Sequence, residues 1–213
     1  MSGAGTLGLT VAELQASLQA IYGVEAPGVE PFLVGREEAA AAGHLLRAPE
    51  ELLVLEEDDE LWLGLYLDEA VTAGAARGEL GPMAQLAEGV SHFVYLATRA
   101  ARGRPVSLLE LEVQAEVDKF AVLLLALWRR DRRRRSRALR HRLYERVRYH
   151  AHLAADELTR YREANRLGAG YARWLEGRFV DEPDVEGLLR ELRQSYRLGA
   201  GEKLGYLGAR ALQ

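Results

Sequence analysis

Apolar positions at helical spacing come first along the chain. Leu14, Leu18 and Ile21 follow a Thr10–Glu13 pair with capping-box spacing, and Gly23 ends the run. The pattern predicts a first helix there. "EPFLVG" at 30–35 reads as a short strand. The period then changes to two in "EELLVLEEDDELWLGLYLD" at 50–68. Two apolar runs flank an acidic turn, and Leu61, Leu63, Leu65 and Leu67 share a face, which predicts a hairpin. "EAVTAGAARGELG" at 69–81 reads as a loop. Pro82 stands where a first helical residue belongs, so a helix is expected over 82–101, interrupted by "ARGRPVS".

"LELEVQAEVD" at 109–118 alternates like a half-buried strand. Ser107 and Glu110 nevertheless have capping-box spacing, the residues favour helix, and no turn residue precedes position 131. Helix over 108 to about 130 is the expectation. Further helices are expected over 136–150, roughly 155–176 and, after "DEPD", roughly 185–196. "RLGAG" occurs at 166–170 and again at 197–201, too few copies for a solenoid. It reads as two helix ends stopped by glycine.

Composition narrows the class. The 213 residues, 48% of them hydrophobic, suffice for one large domain or two small ones. The absence of cysteine excludes disulfides and thiolate metal sites, and fits a reducing compartment. "MSGAGTLGLT" lacks the basic and apolar regions of a secretory signal. The longest apolar run, "FAVLLLALW" at 120–128, falls far short of the ~20 residues of a membrane span. A soluble, cytoplasmic protein without membrane contact is expected. The net charge of −4 is unevenly distributed: residues 128–150 hold eleven arginines against Asp131 and Glu145, a local +9 that leaves −13 elsewhere. Such asymmetry points to an anionic partner, or to an acidic surface of this chain or of a second copy.

Candidate chemistry centres on "LAEGVSHFVYLA" at 86–97. On a helical wheel Leu86, Val90, Phe93 and Ala97 form the apolar stripe, with Glu88, His92, Tyr95 and Arg99 opposite. In the following helix Leu109, Val113, Phe120, Leu124 and Leu127 form the stripe. Glu116 lies at its edge one turn after Glu112, and a second polar row of Glu110, Gln114 and Asp118 points elsewhere. Three readings of Glu88 and His92 stay open: a solvated i,i+4 pair, metal ligation with Glu116, or a metal-free vestige of a site. A carboxylate-rich di-metal bundle ranks lower, because its Glu-x-x-His spacing is absent.

A hairpin, a helix with a histidine, and then "EVDKFA" at 116–121 opening an apolar helix together resemble the ImmA/IrrE-type zinc metallopeptidases over roughly residues 50–127. That family carries H-E-x-x-H on the first helix and takes a third ligand from a glutamate in an E-A-[DN]-x-F-A-like segment. The resemblance implies Glu116 as third ligand, His92 as the second histidine and Glu88 in place of the first. Glu112 and Tyr95 would support the site. It also puts Gly89 where the catalytic glutamate belongs. Without a carboxylate to take a proton from a metal-bound water, peptide hydrolysis by that route should be lost. One imidazole and two carboxylates still suit Zn, Mn or Fe(II).

In the arginine-rich stretch Leu139, Leu143 and Val147 keep one apolar row, leaving Arg133, Arg137 and Arg140 as anion-binding candidates. Phosphate contact with nucleic acid is one reading, and pairing with the acidic remainder of the fold is the other, favoured by the absence of a helix-turn-helix pattern and of stacking aromatics. His150 and His152 are two apart and make a poor metal pair. Phosphate-loop, dinucleotide-binding and nucleophile-elbow motifs are absent.

The expected fold is α+β and mostly helical. A zincin-like core with a small antiparallel hairpin or sheet would occupy 1–127, and a helical region with the arginine-rich helix would occupy 128–213. The favoured function is a degenerate, metallopeptidase-like regulatory or binding protein without peptidase activity, acting with a protein partner or as a homo-oligomer. The alternatives are an active hydrolase using Glu112 or Glu88 as base, and a nucleic-acid-binding regulator.

Overall fold

The computed structural model describes residues 8–57, 60–128, 132–147, 149 and 153–213, without the side chains of residues 57, 60 and 132–134. The acidic turn at 58–59 and the pair His150 and His152 lie outside the described residues. The fold is α+β and mostly helical. It forms two compact units, Met1–Gln19 with Glu25–Gly103, and Ala20–Val24 with Arg104–Gln213.

The first unit opens with α1 (Val11–Tyr22), whose last residues belong to the second unit. The expected capping box is present. Glu13 accepts from the Thr10 amide at 2.9 Å and hydroxyl at 2.8 Å, and its own amide donates to Thr10 Oγ1 at 3.3 Å. Those bonds hold the Glu13 carboxyl below its ordinary pKa. Gly23 then turns the chain at φ 62°, a conformation that favours glycine.

"EPFLVG" is a 3-10 turn at Glu30–Phe32 followed by a two-residue strand, β1 (Leu33–Val34). After α2 (Arg36–Ala41), β2 (Glu50–Glu57) and β3 (Glu60–Leu67) make the expected antiparallel hairpin, with Leu52 opposite Leu65 and Val54 opposite Leu63. β1 joins β3 in parallel, so the sheet is mixed, in the order β1-β3-β2.

The segment expected as a loop after the hairpin is instead α3 (Glu69–Ala76). Asp68 caps it by accepting from the Ala70 amide at 2.9 Å. Gly74 lies inside this helix because a Cβ there would come within 2.6 Å of Pro82 Cγ. It marks close packing of α3 on α4 (Leu80–Ala100), and does not break the helix. Pro82 is the third residue of α4, still within the first turn, where a helix lacks internal partners for its amides.

In the second unit α5 (Leu108–Leu127) begins at Ser107, whose Oγ accepts from the Glu110 amide at 3.2 Å. Helix α7 (Ala155–Leu175) packs along α5, and α9 (Ala200–Ala211) along α7. The first "RLGAG" sits in the middle of α7, contrary to its reading as a helix end. A Cβ on Gly168 would lie 2.7 Å from Glu116 Cβ, and one on Gly170 would lie 2.3 Å from Ala211 Cβ. Both glycines let neighbouring helices approach. The second copy does end α8 (Val185–Arg197), and α9, which apolar spacing did not predict, starts within it.

The arginine-rich stretch is α6 (Arg132–Arg140) followed by a π-helical turn, His141–Glu145. Leu139 and Leu143 are buried as expected, but Val147 is exposed and Tyr144 is buried instead. The wider π turn changes which residue follows Leu143 inward, and helix ends before Val147 is reached. A second π turn, Glu176–Val180, follows α7. No helix among the described residues is long and apolar enough to cross a membrane.

Candidate metal centre

Helix α4 carries Glu88 and His92 one turn apart. Its apolar side is buried as predicted at Leu86, Val90 and Phe93. The opposite side is largely buried too. Tyr95 and Arg99 are almost fully enclosed, and Glu88 and His92 are half-buried. Arg99 donates to the Tyr95 hydroxyl at 2.5 Å, with its guanidinium 4.8 Å from the ring centre. Tyr95, expected as a supporting residue, is thus engaged by Arg99 of its own helix.

Gly89, between the two candidate ligands, faces the sheet. A Cβ there would lie 3.1 Å from Leu67 Cδ2, 3.3 Å from Leu65 Cδ1 and 3.4 Å from Glu50 Cβ. The backbone of α4 therefore approaches β2 and β3 at this position. A glutamate side chain there would start against leucine.

On α5 nearly every side is buried, including Glu110, Glu112, Gln114, Asp118 and Lys119. Glu116, in the position implied for the third ligand, pairs with Lys119 Nζ at 3.0 Å, and its carbonyl accepts from the Tyr144 hydroxyl at 2.8 Å. Burial and the Glu116 charge push the Tyr144 hydroxyl well above its ordinary pKa. Glu112, one turn earlier, has Arg160 Nε at 3.9 Å.

Glu88 and His92 of the first unit and Glu112 of the second each offer a ligand atom of a type that binds metal ions. This group could hold a metal ion. The group contains Glu112, named at first as a supporting residue, and two of the three residues named as ligands.

A polar set that the sequence showed only in part lies on another side of α5. Gln114 donates to Asp118 Oδ1 at 2.7 Å and to the Tyr22 hydroxyl at 3.2 Å. Tyr22 in turn donates to Asp118 Oδ1. Lys203, fully buried, donates to Gln114 Oε1 at 2.6 Å and lies 4.0 Å from Glu110. The i,i+4,i+8 spacing of Glu110, Gln114 and Asp118 was the available signal. Nothing in the local pattern around Lys203 tied it to them.

Two of the three anion-binding candidates have partners inside the second unit. Arg140 reaches Glu176 at 2.5 Å and Glu145 at 3.3 Å, and Arg137 reaches Asp181 at 3.4 Å. The side chain of Arg133 lies outside the described residues. Compared with protein-family models, curated proteins and solved structures, the chain matches none.

Proposed function

We propose that this chain is a degenerate metallopeptidase-like protein that holds a metal ion and serves a regulatory or binding role without cutting peptides. The observation that supports this reading is the Glu88 and His92 pair one turn apart on α4 with Gly89 between them, to which Glu112 could add a third ligand. With Glu88 and Glu112 both used as ligands, neither is left to take a proton from a bound water. Gly89 has no side chain to do so, and its Cβ direction is occupied by Leu65 and Leu67. When bound, the metal would supply positive charge that orients an oxygen ligand. Two carboxylates and one imidazole suit Mn or Fe(II) as well as Zn. The pairing of Arg137 and Arg140 with carboxylates weighs against a nucleic-acid surface on α6 as the main role.

The test is metal analysis of protein purified without chelator, followed by titration with Zn and Mn. About one ion per chain is expected, with occupancy lowered at least tenfold by His92→Ala and by Glu112→Gln. Protein that binds neither metal at micromolar concentration would overturn the metal reading. Chelator-sensitive cleavage of casein, lost in His92→Ala, would overturn the absence of peptidase activity. If Glu116→Gln removed the ion and Glu112→Gln did not, the ligand implied by the family resemblance would replace Glu112.

A further inference from the structure

The end of α7 carries Gly170 and Trp174 one turn apart, and the π turn that follows it carries Gly177 and Arg178. The two glycines differ in what stands against them. Gly170 is closed over by Ala211 of α9, whereas a Cβ on Gly177 would meet nothing within 4 Å. The result is a cavity of about 370 Å³ lined by Arg173, Trp174, Gly177, Arg178, Arg210 and Gln213, among others. Among the described residues no Asp or Glu side chain lines it.

The three arginines differ in their partners. Arg210 Nε contacts Glu191 Oε1 at 2.8 Å, and the Tyr171 and Tyr206 hydroxyls donate to the same carboxylate at 3.0 and 3.1 Å. The guanidinium of Arg210 also covers the Trp174 ring at 4.9 Å. Its charge is therefore both matched and fixed in place. Arg173 and Arg178 are exposed and pair with no carboxylate among the described residues. The indole itself is held rigidly. Tyr171 stacks on it at 5.9 Å, Phe179 meets it edge-on at 5.7 Å, and its N–H donates to Gln213 at 3.2 Å.

We propose that this cavity is a binding site for a small organic phosphate. Two guanidiniums that pair with no Asp or Glu side chain, Arg178 standing 5.3 Å over the Phe179 ring, match a dianion, and their planar donor forks suit phosphate oxygens. The open space over Gly177, beside a fixed indole, takes a compact apolar or planar body. The volume is at the lower end of the ~300–1,000 Å³ of small-molecule sites, which fits a single small ligand and excludes a nucleic-acid strand. The site is independent of the metal reading.

The test is calorimetric titration of the full chain with phenyl phosphate, inorganic phosphate, benzoate and phenol. Chelator is present throughout, so that phosphate held at a metal is not detected. Phenyl phosphate should bind at least about tenfold more tightly than benzoate or inorganic phosphate, and phenol should give no heat. Arg173→Ala and Arg178→Ala should each weaken phenyl phosphate about tenfold or more, as loss of a hydrogen bond to a charged group does. Gly177→Leu should abolish binding while leaving the circular dichroism and thermal melt of the chain unchanged. No binding of phenyl phosphate at millimolar concentration would overturn the proposal. So would equal binding of inorganic phosphate, or undiminished binding by the Arg173→Ala/Arg178→Ala double variant.

Discussion

At the hairpin, Val54, Leu55 and Trp62 are 44%, 51% and 60% exposed, while along α5 Glu110, Gln114 and Asp118 are 1%, 3% and 2% exposed. Both regions follow their own local rules, since the hairpin alternates as a strand should and α5 is capped as a helix should be. They differ in what covers them. The hairpin belongs to a three-stranded sheet on which α4 packs, and burial is strongest near its base, at Leu65 and Tyr66. Helix α5 lies among the other helices of its unit, so even its polar rows are enclosed and must find partners within the protein. Polar groups inside and apolar groups outside are the informative departures from ordinary burial. Here they point to a specific interior in the second unit and an exposed strand surface in the first.

Lys203→Ala is the strongest way to break this comparison. It leaves Glu110 and the Gln114 carbonyl facing an empty buried position, and breaking a buried charged pair costs about 3–5 kcal/mol. Urea denaturation should show that loss, and the Lys203→Met/Glu110→Gln double variant should recover part of it. An unchanged midpoint for Lys203→Ala would mean that the buried row carries no stability.

Gly89→Glu comes next. The new side chain would start against Leu65 and Leu67, so a loss of about 2–3 kcal/mol is expected, with no gain of peptidase activity. Thermal melting and a casein assay check the two halves of that statement. Casein cleavage by the variant and not by the parent chain would show that a carboxylate at this position is enough for activity.

Alkali should act chiefly on the second unit. Burial raises the Tyr22, Tyr144 and Tyr171 hydroxyls well above the ordinary tyrosine value, and burial with the Glu191 hydrogen bond raises Tyr206 to about 12. The folded state then keeps protons that the unfolded state releases above about pH 10, so stability falls as pH rises from there toward 12. Phenolate absorbance and circular dichroism followed together should change in one step. Ionisation of most tyrosines at pH 10 without loss of structure would contradict the burial of this set.

Trp62→Ser should have the smallest effect, within about 0.5 kcal/mol, because the indole is mostly exposed. A loss above about 2 kcal/mol in a denaturant titration would show that the hairpin surface is covered in solution.

Much of the local structure was legible from neighbouring residues. Thr10 with Glu13, Ser107 with the Glu110 amide, and the alternation of β3 each act within a few positions, so the helix starts and the hairpin could be read directly. Glycine was the recurrent source of error. Gly74, Gly168 and Gly170 resemble breaks in a linear pattern, yet each lies where another element comes too close for a Cβ. The partner that explains them is distant in sequence.

The candidate site divides in the same way. Spacing alone put Glu88 with His92, and Glu110 with Gln114 and Asp118, on common helix faces, because 3.6 residues per turn determines what shares a face. It did not determine what lies opposite. Tertiary structure enclosed Tyr95 and Arg99 and brought Lys203 to Gln114. Those choices follow from which helices pack together and how closely, a consequence of the whole chain's burial rather than of any local run of residues.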